Sequence, residues 1–257
     1  GNSARAALIS QQSPVSDNAY GYFVDSLTTG LTALVLLSIA NAAFGFSQER
    51  EMGTLRHLLI RSGSRQSIVI AKLLHLHFLT LLSIAVLSFT AYFVSASLWA
   101  FEPVVEDGYQ LIGESEIWSE IQLGIWLAVL PIPASICFGL LIGIVAQSPG
   151  QALAVSMGLT LTFDIFKTNL GVGADYVFAK FQPSLLDYSY ISEVSRMVRG
   201  FSDVFIESET IALNTWIPMP SALLLTALIF FLHPEEATVK ARLLVAIFTA
   251  MVNSCVS

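Results

Sequence analysis

Apolar residues fill long runs of this chain, and polar residues collect in the intervals between them. Five runs are long enough to cross or nearly cross a bilayer, for which an untilted helix needs about 20 residues: 23–46, 68–99, 122–146, 150–170 and 217–232. The second can tilt or protrude, and the last is short unless it takes in Trp216 and the residues before it. The pattern predicts an all-α fold, a polytopic membrane helix bundle forming one transmembrane domain over 1–242. An apolar tail at 243–257, of open role, follows it. Pro131 and Pro133 predict a bend in the third run. Gly139 and Gly143, at Gly-x-x-x-Gly spacing, allow a close helix contact that serves either a dimer interface or packing within the chain.

Two of the intervals carry a helical period of their own. In 47–65, Met52, Leu55, Leu58 and Leu59 fall in one stripe at about 100° per residue, with Gly53, Thr54, His57 and Arg61 opposite. Glu49 and Glu51 stand at the N-terminal end of this predicted helix and Arg61 at its C-terminal end, as the helix dipole prefers. Ser62-Gly63-Ser64 supplies a stop, and Arg65 begins the helix that leads into the second span. By its pattern the segment rests on anionic lipid headgroups. In the second interval, Tyr190, Ile191, Val194, Met197, Val198 and Phe201 recur at helical spacing, with Glu193, Arg196 and Arg199 between them. This predicts an amphipathic helix that lies on the membrane or folds back between the spans.

Composition places the chain in a membrane: of its 257 residues 54% are hydrophobic and only 12% charged, where a soluble domain carries about 25% charge. Charge then orients the spans. The 47–67 interval carries Arg50, Arg56, Arg61 and Arg65, with Lys72 just inside the next span, whereas 100–121 carries Glu102, Glu106, Asp107, Glu114, Glu116 and Glu120 and no Lys or Arg. Basic loops stay cytoplasmic, so 47–67 is expected inside, and 100–121 and 171–215 outside. The polar stretch before the first run falls outside too. With Gly rather than Met at position 1, it reads as a loop that follows a lost preceding span. A net charge of −7 argues against a nucleic-acid partner. Cys137 and Cys255 form no disulfide framework.

Ionisable residues at membrane depth are costly and mark candidate function. His75 and His77 point about 200° apart on a helix and cannot chelate one metal, so no metal site is expected and they pack between helices. Lys72 should snorkel to the inner surface, and Asp164 and Lys167 share a face and can pair. No lysine follows a glycine, so no phosphate-binding loop exists. No hydrolase or zinc-protease motif occurs either, and the chain is expected not to be an enzyme.

The run Glu49-Arg-Glu51, Gly53-Thr54-Leu55, Leu58-Leu59, Arg65 and Lys72 resembles the cytoplasmic segment of ABC-2 type transporter permeases. The order of spans and loops is similar to that family as well, with a first span lost. The resemblance implies a coupling helix that docks on an ABC ATPase subunit. Glu49 and Glu51 would be its acidic contacts, Gly53 and Thr54 its close-approach turn, and Leu55, Leu58 and Leu59 its buried stripe, while Arg65 marks the return to the membrane. It further implies the permease subunit of an exporter in the bacterial cytoplasmic membrane, paired with a second permease copy or homologue. The chain itself would bind no cofactor, ATP and Mg belonging to the partner. Here the pattern has Arg56, Ser62-Gly63 and Ala71 where the family has an acidic residue, Pro and Gly. A secondary carrier or channel is the alternative.

Overall fold

The computed structural model describes residues 18–53, 65–106, 109–167, 169–184, 189–200 and 208–232. Along the chain these form α1 (Ala19–Glu51), α2 (Arg65–Leu98), β1 (Val104–Glu106), β2 (Tyr109–Ile112), α3 (Glu114–Val129), α4 (Ile132–Val145), α5 (Pro149–Phe166), α6 (Tyr190–Val198), α7 (Ser208–Trp216) and α8 (Pro218–Phe231). Two short 3-10 turns, Gly171–Tyr176 and Phe178–Phe181, lie between α5 and α6. The all-α expectation holds apart from the antiparallel β1–β2 hairpin, in which Glu106 faces Tyr109.

Among the described residues, four stretches are long and apolar enough to cross a membrane: Ala19–Glu51, Ser67–Leu98, Glu114–Val145 and Ser208–Phe231. This is the make-up of a helical membrane protein. The third stretch joins α3 and α4 across Leu130 and Pro131, both of which keep right-handed helical backbone. Proline removes one ladder hydrogen bond here without ending the span. It starts at Glu114, earlier than the apolar run suggests, because Glu114 and Glu116 fit the first turn of a helix. The last stretch does take in residues before Trp216. The run at 150–170 forms α5, of 18 residues, which is not among the four: Gln151, Asp164 and its hydroxyl residues dilute its apolar character.

α1 is the axis of the bundle and packs against α4, α2, α5 and α6. Its buried Phe23, Leu27, Leu31, Val35, Ile39 and Ala42 recur every three or four residues and join one core with Ile117, Ile121, Ile136 and Leu140. Asn18 caps α1 by accepting from Tyr20 N at 3.0 Å. Beside this end, Tyr22 stacks on Trp99 and Tyr92 on Phe101. Such an aromatic collar suits the boundary between lipid and water. α2 leaves Leu74, Phe78, Leu82, Phe89 and Phe93 exposed. In water that face would be an aggregation site, and in a bilayer it is solvated by lipid tails.

A carbon added at Gly139 would lie 2.5 Å from the carbonyl oxygen of Ile39, and one at Gly143 equally close to that of Ala43. The Gly-x-x-x-Gly pair thus serves packing within the chain, letting the α4 and α1 backbones touch.

Candidate functional site

The first apolar run opens with a polar stripe, Asp25, Thr28, Thr29 and Thr32, spaced to fall along one face of α1. α6 lies across that face. It is short but strongly two-sided: Ile191, Val194 and Val198 are buried, and Glu193, Arg196 and Arg199 are only partly covered. It packs against both α1 and α3.

Asp25 holds the two helices together. It accepts a charge-assisted bond from Arg199 and a hydrogen bond from Ser195, while the Arg199 guanidinium sits 5.7 Å from the centre of the Tyr22 ring. Arg196 pairs with Glu193 at 3.0 Å. Thr28 and Thr32 donate to the carbonyls of Val24 and Thr28 at 2.9 Å, the usual way hydroxyls are satisfied inside a membrane helix. Between α1 and α6 remains a cavity of about 540 Å³ walled by Asp25, Thr28, Thr32, Ser192, Arg196 and Arg199.

A second cavity, of about 410 Å³, lies on the other side of Glu193, which lines both. Its wall includes Lys167, Tyr190 and Asn214. Lys167 is paired with Asp164 at 2.8 Å, as their spacing predicts, and Ser184 donates to the same carboxylate. Tyr190 donates to Glu120 on α3. Burial first, and then the Glu120 carboxylate, push the Tyr190 phenol well above its ordinary range, so it stays a donor.

Of the predicted docking residues, Glu49, Glu51, Gly53 and Arg65 are among the described residues. Glu49 and Glu51 do not begin a separate helix: α1 runs through them without a break to Glu51. They therefore stand at a helix C-terminus, where carboxylates are disfavoured. Lys72 Nζ, 2.5 Å from Glu49 and 5.7 Å from the Phe46 ring centre, offsets this. Gly53 comes next with φ 73, a left-handed stop that suits glycine. Arg65 opens α2, and Thr54, Leu55, Leu58 and Leu59 lie outside the described residues. His75 is exposed rather than packed between helices, and His77 Nδ1 lies 2.7 Å from the Leu73 carbonyl.

Two features are visible only in the folded chain. Arg50, which in the sequence shows only the sign of its charge, hydrogen-bonds to the carbonyl of Ile144 at 2.8 Å and to that of Ala146, capping α4. The Asp25–Thr32 stripe is masked by the apolar residues around it, although its three-and-four spacing is a signal that could have found it.

Residues 6–180 match a family described as "Protein of unknown function (DUF2705)". No ABC-2 permease family is found, which overturns the resemblance seen in the Glu49–Lys72 segment. That short pattern has a structural origin in part, since Glu49, Lys72 and Gly53 end one helix and tie it to the next. No curated protein and no solved structure matches the chain.

Proposed function

We propose, for a chain that belongs to the DUF2705 family of proteins of unknown function, that it is the membrane-spanning subunit of a transport system driven by a separate ATP-hydrolysing subunit. The observation that carries this reading is the pair of charged cavities lying against membrane-length helices, parted by Glu193. Charged and hydroxyl groups gathered against apolar helices are candidates for a polar solute's route.

The chain has no phosphate-binding loop, so on this reading ATP is hydrolysed by a partner. The connection between α1 and α2, cytoplasmic by its arginines, is the proposed contact. Glu49 ties it to α2 and Arg50 to the end of α4, so a push there reaches three helices at once. The exposed face of α2 meets lipid or a second copy of the subunit.

The test is to purify the full chain from its native membranes in mild detergent and assay ATP hydrolysis, with and without Glu51→Arg plus Leu58→Asp. The expected result is co-eluting ATPase activity that the variant loses. A secondary carrier is the second reading, favoured by the Asp164–Lys167 pair in the bundle. Solute counterflow in vesicles without any associated ATPase would establish it instead.

A further inference from the structure

The second cavity carries unmatched hydrogen-bonding groups of both kinds. Three residues of its wall are more than nine-tenths buried: Lys167, 5% exposed, and Ser189 and Asn214, each 7%. Ser189 Oγ and Asn214 Oδ1 have no hydrogen-bond partner, and Lys167 Nζ, ion-paired with Asp164 at 2.8 Å, is an ammonium with three donors to place. Buried polar groups are almost always satisfied, so two orphans beside a buried ammonium around one cavity point to something that satisfies them together.

We infer that this cavity is a recognition site for a small zwitterion of the amino-acid class. Lys167 and Ser189 can donate to a carboxylate. Asn214 Oδ1 accepts from an ammonium, with Glu193 on the same wall adding attraction. The formal charges on the wall balance, Lys167 and Lys180 against Asp175 and Glu193, which suits a solute of no net charge that bears both signs. Leu127 and Ile211 offer apolar surface beside them. A volume of about 410 Å³ is ample for one such molecule.

This inference deepens the transport reading by naming the solute, and it rests on that reading for every step after binding. The test uses the full chain with its co-purifying subunits in lipid nanodiscs, and equilibrium binding of radiolabelled glycine, L-leucine and L-glutamine. At least one is expected to bind saturably. Against leucine, 4-methylpentanoate and isopentylamine, each lacking one charge, and glucose, lacking both, should compete at least tenfold more weakly. Ser189→Ala and Asn214→Leu should each weaken binding tenfold or more, as should Lys167→Met where it folds. Absence of saturable binding for all three, equal competition by a singly charged analogue or by glucose, or unaltered affinity in both Ser189→Ala and Asn214→Leu overturns the inference. Co-eluting ATPase without amino-acid binding removes only the solute class. Binding without ATPase removes only the assigned energy source.

Discussion

Arg50 joins the ends of α1 and α4, elements far apart in the chain. The last carbonyls of a helix have no partner within it, and a planar guanidinium can take two of them at once. Removing that fork should cost about 1.5–3 kcal/mol, the range for hydrogen bonds to a charged group. Arg50→Ala is therefore expected to melt measurably earlier in detergent, with Arg50→Lys between it and the native chain, as followed by thermal unfolding. An Arg50→Ala chain that unfolds at the native temperature would remove the capping role. Spacing could not reveal this residue's work, because its partners lie in another element and only the sign of its charge is visible locally. Glu49 teaches the same lesson from the other side. Read locally it begins a helix, but α1 continues past the end of the apolar run, and Glu49 is held at the helix end by Lys72.

Among the helices, the α1–α4 contact matters most, because lipid tails remove the usual hydrophobic drive for helix association and leave close packing to supply it. A side chain at Gly143 must displace the Ala43 backbone, which cannot give way as a flexible side chain can. Gly143→Val is expected to destabilise the bundle by about 1–3 kcal/mol, the usual cost of overpacking. Gly158 on α5 has nothing within 4 Å of its missing Cβ, so Gly158→Ala should be neutral or gain up to about 1 kcal/mol of helix stability. Denaturant titration of the two variants checks the contrast; equal behaviour would contradict it. The glycine spacing was legible in the sequence, but whether it faced a second copy or another helix of the same chain was not. For α7 and α8 the need for a joint span was legible from the shortness of the last apolar run, but where it starts, at Ser208, was not.

At the scale of the whole molecule, the bundle was readable because apolar length is a local property of the chain. The cavities were not, since Asp25 meets Arg199, and Glu193 comes to border two cavities, only through folding. The motif between the first two spans misled as to family, because acidic residues and a glycine at a helix end are demanded by helix termination as readily as by a docking partner. The central claim is a bundle whose α1 crosses the membrane, with a water-accessible polar cavity at its Asp25 end. Substituted-cysteine labelling tests this most directly. In a Cys137→Ser, Cys255→Ser background, Thr29→Cys and Gln48→Cys, both exposed positions of α1, are treated with a membrane-impermeant maleimide in intact cells and after permeabilisation. Thr29→Cys is expected to be labelled in intact cells and Gln48→Cys only once the membrane is opened. Labelling of both from the same side, or of neither in any condition, would contradict the claim.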